Sequence, residues 1–237
     1  MYKTLKHAGT PFLPYHASSE MPYFQTQIAL TAGFMGCANK MKTDNSAIAA
    51  EIKQKSVIDM ALTFTAMIRL FEKGSKPKIS QKLHSEFQKL HKIRNVDEFH
   101  TFHRDFCKWF TKSVKTAQKE RNNKIIKASG LALYGQAAKL LDVTLKVYVY
   151  YSGLPDKHTS DVLVPFLNTA IDNPILTHLK EAFPNEIIHA KTVEQIDHQT
   201  YKKLQRFIKL EIKKNFDNDI VPTQYDDIMW YRLNRAQ

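Results

Sequence analysis

From residue 46 to the C-terminus, apolar residues recur at intervals of three and four, the spacing of helices that bury one face. Ile48, Ile52, Met60, Phe64, Met67, Ile68 and Phe71 share such a face, behind a capping group at Asp44-Asn45-Ser46 and ahead of a stop at Gly74. Ser80 opens a shorter piece with Leu83, Phe87 and Leu90 inward. Asn95-Val-Asp-Glu98 has the form of a capping box, and Phe99, Phe102, Phe106 and Phe110 line one stripe behind it. Another helical run covers Leu140 to Tyr151, followed by a polar connection, GLPDKHTSD. Asn173-Pro174 supplies a cap and then a proline at the first helical position. Thr192-Val-Glu-Gln195 opens a helix with Ile196, Leu204, Phe207 and Ile208 inward, and Pro222 leads a last helix through Ile228, Met229, Trp230 and Leu233. Only 7 glycines and 9 prolines interrupt the 237 residues, and no strand pairs or repeats stand out. The expected fold is all-α, a compact multi-helix domain over residues 45–237, as one body or as two subdomains around a cleft. Residues 1–44, broken by Pro11, Pro14, Pro22, Gly33 and Gly36, read as a loop-rich arm or cap.

No apolar run approaches the roughly 20 residues a membrane helix needs, so no membrane partner is expected. The stretch Ile28–Ala38 lies too far in, with no basic segment directly before it, to be a signal peptide. The expected compartment is the cytoplasm, with Cys37 and Cys107 as free thiols. The net charge of +12 is concentrated. Residues 73–127 hold 15 lysines and arginines against 5 aspartates and glutamates, which is most of the surplus. A localised basic face attracts polyanions, nucleic acid being the commonest, through contacts that salt weakens. The plainer reading is a solvated surface.

Few motifs carry chemistry. His100, His103 and Cys107 share one helix face, but zinc normally gathers four ligands from more than one element. Gly130-Leu-Ala-Leu-Tyr-Gly135 has the glycine spacing of a phosphate-binding loop, yet Gln136 and Ala137 stand where the lysine and hydroxyl belong. Neither a metal nor a cofactor is implied.

One stretch is more specific. Residues 133–141 read LYGQAAKLL, in which Gly135, Ala137 and Lys139 form G-x-A-x-K, after NNKIIKASG read as a short helix. Here the chain resembles the helix-hairpin-helix DNA glycosylases, whose hairpin usually reads L-x-G-x-G-x-K before its second helix. The resemblance covers roughly residues 125–180, and its spacing is nearest the archaeal 8-oxoguanine members. It implies that the backbone of Gly135, Gln136 and Ala137 approaches a phosphate of duplex DNA, with Lys124 and Lys127 in the same nucleic-acid-binding set. It implies further that Lys139 is an amine nucleophile toward the sugar C1′. Asp172, in TAIDNPIL, would then stabilise the positive charge that develops as the base leaves. Ala137 replaces the family's second glycine, and 33 residues separate Lys139 from Asp172, more than in the common bacterial members. The iron–sulfur cysteines of some relatives are absent, so no cluster is implied.

The chemistry is coherent. An amine attacks only when neutral, which asks for burial or nearby cations around Lys139. A helix N-terminus beside Asp172 favours its negative charge. A base taken out of the stack needs apolar walls, for which Tyr148, Tyr150, Tyr151, Trp109 and Trp230 are at hand. The same residues also read structurally. Lys139, Asp142 and Lys146 fall at i, i+3 and i+7, an exposed polar face with ion pairs worth a few tenths of a kcal/mol. Two functions therefore follow from the sequence: a DNA-repair glycosylase with lyase activity, and a non-enzymatic helical protein whose basic stretch meets a polyanion.

Overall fold

In the computed structural model, which describes residues 46–64, 66–121 and 124–235, the expected periodicity becomes eight α-helices. They are α1 (Ser46–Phe64), α2 (Ser75–Phe87), α3 (Val96–Ser113), α4 (Tyr134–Leu145), α5 (Lys157–Leu163), α6 (Asn173–Ala182), α7 (His198–Phe216) and α8 (Pro222–Arg235). The fold is all-α, as expected. The proposed N-terminal arm, residues 1–44, lies outside the described residues.

Helix α4 is the central element because it is apolar on most sides. Ala137, Ala138, Leu140, Leu141, Thr144 and Leu145 are all buried, and a helix buried nearly all round must lie among others. Its neighbours are α1, α3, α7 and the 3₁₀ turn Val193–Gln195. Lys146–Tyr151 prolongs it as a π-helical segment that packs on α1 and α5. The phenylalanine stripe of α3 faces this core, with Phe99, Phe106 and Phe110 buried. Phe110 meets the edge of Phe71 at 5.1 Å between ring centroids, and Phe87 meets Tyr148 at 4.7 Å. Helices α6, α7 and α8 pack against one another as a second layer, with Leu179, Phe207, Ile208 and Tyr225 inside.

Several boundaries differ from expectation, each for a local reason. The first helix stops at Phe64, and a 3₁₀ turn at Ala66–Leu70 leads to a bridge between Phe71 and Thr116. Gly74 adopts φ 92°, a left-handed conformation that suits glycine, so it introduces α2 instead of ending a longer helix. Asn95 caps α3 as expected, accepting from the Glu98 amide at 2.9 Å. The cap of α6 is Asp172, one residue earlier than the Asn173-Pro174 reading. Thr192 makes no side-chain cap, and α7 starts at His198 behind Asp197. The polar connection after Tyr151 contains α5, capped by Asp156.

The largest departure is the segment between α3 and α4, expected as an exposed extension or a loop over KTAQKERNNK and as a short helix over NNKIIKASG. It forms extended chain. Strand β1 (Lys115–Thr116) pairs antiparallel with β4 (Gly130–Leu131), and β2 (Lys119–Arg121) pairs antiparallel with β3 (Lys124–Lys127). Adjacent β-branched Ile125 and Ile126 favour a strand over a helix. The result is a two-stranded arm where the first helix of a helix-hairpin-helix was expected. Its root is tied to the body by Glu72 N–H donating to Lys115 O and Ala117 N–H donating to Leu70 O.

Truncating the core and truncating the arm should have opposite consequences in chemical denaturation. Phe110→Ala is expected to lose about 3–5 kcal/mol of stability. Ile126→Ala, at an exposed position, should stay within about 0.5 kcal/mol of the parent.

Candidate nucleic-acid interface

The LYGQAAK stretch is built into the body rather than open to a ligand. A side-chain carbon on Gly135 would lie 2.0 Å from the carbonyl oxygen of Val193, so only glycine fits against that 3₁₀ turn. The Gly135 N–H donates to Ile196 O, and the N–H groups of Gln136 and Ala137 both point to Leu133 O. The Gln136 side chain accepts from Leu133 N–H at 2.9 Å and donates to Glu194 at 3.1 Å. Gly135, Gln136 and Ala137 are all buried. The three amides expected to cradle a phosphate are therefore already bonded within the chain.

Lys139 and Asp172 fare differently. Lys139 is half-buried on α4, and Asp172 caps α6 by accepting from Ile175 N–H at 2.9 Å. No hydrogen bond or ion pair joins the two among the described residues. Asp172 instead lies close enough to Asp226 to help raise that carboxyl. Asp226 is bound to Lys146, two turns beyond Lys139. Of the remaining expected contacts, Lys124 opens strand β3 and Lys127 closes it. The Lys127 ammonium is held by Glu194 at 2.6 Å.

The polar face of α4, expected to be exposed with weak pairs, is internal. Asp142 is buried and accepts from His103 of α3 at 3.0 Å and from the Tyr201 hydroxyl of α7 at 2.7 Å. Cys107 lies 3.8 Å from the other ring nitrogen of His103. Burial pulls the His103 pKa down, but the Cys107 sulfur and the Asp142 carboxylate more than reverse this and carry it up to about 10. Burial and the same carboxylate push the Tyr201 phenol well up. Lys146 is clasped by Asp226 at 2.6 Å and Asp227 at 2.5 Å, and Tyr151 donates to Asp227 at 2.6 Å. Burial raises Asp226 to about 6 despite Lys146. A further carboxylate, Glu211, receives His178 at 2.9 Å and the Tyr225 hydroxyl. Among the described residues, these groups bond chiefly to one another. His103 and Asp142 stood in the sequence as separate helix-face residues. The contact that unites them is long-range, 39 residues apart.

What the body leaves open is positive. Lys73, Lys108, Lys112, Lys115 and Lys119 are exposed, and none has a carboxylate within ion-pair distance among the described residues. In the arm, backbone register sets Lys119 opposite Lys127 and Arg121 opposite Lys124. Helix α7 extends the basic face beside α3. The pKa of His198 is lowered by burial and then by Lys202 and Arg104, and that of His100 by burial and then by Lys209 and His103. Both histidines thus register a surrounding positive field. The arm also carries Ile125 and Ile126 at 61% and 62% exposure, with Leu131 and Leu133 exposed at its base.

Comparison with protein-family models, with curated proteins and with solved structures returned no match. None of the described helices is long and apolar enough to cross a membrane.

Two measurements check the internal assignments. Gly135→Ala should destabilise the protein by about 1–3 kcal/mol through overpacking, read as a lowered thermal midpoint. The His103 pKa is raised from 6.5 to about 10 in the folded chain, so its contribution is complete below pH 6.5 and is lost as pH climbs through about 10. Thermal midpoints should fall across that window in the parent. Asp142→Asn, which removes the carboxylate facing His103, should flatten the fall and lower stability by about 3–5 kcal/mol at neutral pH.

Proposed function

We propose that this chain is a nucleic-acid-binding helical protein whose contact surface is the basic arm Lys115–Leu131 together with the exposed lysines of α3 and α7. The carrying observation is the row of exposed lysines Lys108, Lys112, Lys115 and Lys119, which runs from α3 into the arm with no carboxylate within ion-pair distance among the described residues. An anion laid against such a row offsets its mutual repulsion. The charge is also directional: ten of the twelve surplus positive charges fall in residues 73–127, which end in this arm. A phosphate backbone meets that distribution with counterion release.

Lyase chemistry at Lys139 has less behind it. It rests on the motif, while the amides that would hold the phosphate are engaged with Leu133 and Ile196. Borohydride trapping on duplexes that carry a damaged base separates the two readings. The expected result is binding with no adduct that depends on Lys139. An adduct abolished by Lys139→Ala would restore the enzyme.

Binding itself is tested by fluorescence anisotropy of labelled duplex across a salt series. Affinity should fall steeply with salt, and each phosphate contact removed should reduce the log–log slope by about 0.9. Lys115→Ala/Lys119→Ala should weaken binding and lower the slope. Lys127→Ala should change binding less, because Glu194 already neutralises that ammonium. Absence of duplex binding at low salt, or binding indifferent to Lys115 and Lys119, would overturn the proposal.

A further inference from the structure

Helices α3 and α7 meet through aromatic rings, and their seam carries more than charge. The His103 and Tyr201 rings stack at 5.0 Å between centroids, with 13° between their planes. Tyr134, at the start of α4, meets Tyr201 edge-on at 5.8 Å and His198 at 5.2 Å. The four rings form a line that begins in the core, at buried His103 and Tyr201, and reaches the surface at half-buried Tyr134 and His198. The Tyr134 phenol is engaged with buried Cys107, which fixes its ring. Cations flank the outer end of this line from both helices. His100, Arg104 and Lys108 stand four residues apart along α3, and His198 and Lys202 four apart at the start of α7, with Lys209 two turns further on. Lys108, Lys202 and Lys209 are exposed, with no carboxylate within ion-pair distance among the described residues. Of the carboxylates close by, Asp197 caps α7 by accepting from Thr200 N–H at 2.7 Å. Asp105 meets Arg104 Nε at 3.2 Å, which uses one of the five guanidinium donors. The two rows face one space. Burial is the first cause that lowers the pKa of both histidines; Lys202 and Arg104 act next on His198, while Lys209, His103 and Lys202 act on His100 against Asp97.

Resting on the nucleic-acid reading above, we propose that the α3–α7 seam is a binding site for an unpaired nucleotide of a single strand: its base stacks on the His198–Tyr134 pair, and the phosphates beside it are held by Arg104, Lys108 and Lys202. Single strands are bound by this combination, a cationic track for the backbone and aromatic rings on which bases lie, and every base has a π-face to offer. A duplex keeps those faces inside its own stack, so it gains from the cations alone. An acidic peptide is drawn to the same lysines but has no flat ring system to lay on His198 and Tyr134. The rings are also held in advance. Tyr134 is fixed by Cys107 and by the edge of Tyr201, and Tyr201 by Asp142 at 2.7 Å, so little ordering is left to be done when a base arrives. The groups named touch base and phosphate, which DNA and RNA share.

The test uses the full chain with a short single strand, in DNA and RNA forms, and with the duplex of the same sequence, all read by fluorescence anisotropy at one salt concentration. A fluorescent purine analogue within the strand reports stacking as a loss of emission. The parent should bind the single strand about tenfold more tightly than the duplex and quench the analogue, with DNA and RNA forms within about threefold of each other. His198→Ala should weaken the single strand by about tenfold, remove the quenching and leave the duplex little changed, whereas His198→Phe, which keeps a ring without the imidazole, should restore both. Lys108→Ala/Lys202→Ala is the contrast: it should weaken binding and lower the log–log salt slope for the single strand by about 0.7 per contact, with the quenching per bound complex intact. Equal affinity for strand and duplex with no quenching would overturn the site and leave the nucleic-acid reading standing. A single-strand preference that His198→Ala leaves intact would also overturn it. Failure of both strand and duplex to bind at low salt would take down both proposals. Displacement of the strand by polyglutamate as readily as by unlabelled strand would overturn the site in favour of an acidic protein partner.

Discussion

One carboxylate, Asp142, holds the arrangement together. It sits in the middle of the central helix and takes a ring N–H from α3 and a phenol from α7, so three helices share one buried charge. A buried carboxylate is tolerable only while its lone pairs are filled, which fixes the rotation of α4 about its own axis. That rotation in turn sets where the chain leaves α3 and enters α4. The basic arm spans this gap, so its direction relative to the α3–α7 face follows from the same contact.

The solution recurs. Asp227 takes Lys146 and Tyr151, and Glu211 takes His178 and Tyr225, which makes three buried acids each shared by a base and a phenol. The chemistry explains the pairing. A carboxylate has two oxygens with about four acceptor sites, and a single cation leaves some of them bare. A phenol adds a donor with an apolar body, so it fills the remainder without carrying further charge into the core. The π-helical segment at Lys146–Tyr151 belongs to the same economy, since it brings Lys146 and Tyr151 to bear on one aspartate pair.

Helix content, the phenylalanine stripe and the cap at Asn95 were all legible in the sequence, because period and capping are local properties. The face of α4 was not. Lys139, Asp142 and Lys146 have the spacing of a solvated stripe, and what buries the last two is a set of residues 39 to 81 positions away. The strand at Lys124–Lys127 was hidden for a different reason: four residues are too few for periodicity to separate helix from strand, and the isoleucine pair was the only cue. Gly135 stood out only through the hairpin motif, whereas the structure requires glycine there because of the carbonyl of Val193, which no local pattern announces.

The arm has one further consequence, for how the protein keeps apart from its own copies. Beyond its root, the β2–β3 ribbon has no third strand on either side among the described residues, which leaves outer backbone amides and carbonyls open to pairing. Exposed isoleucines would normally make such an edge adhesive. The opposed cations prevent this, since two arms brought edge to edge would stack positive charge on positive charge. The same lysines and arginines that suit a polyanion thus act as gatekeepers in its absence, and shielding them with concentrated salt removes the guard along with the attraction.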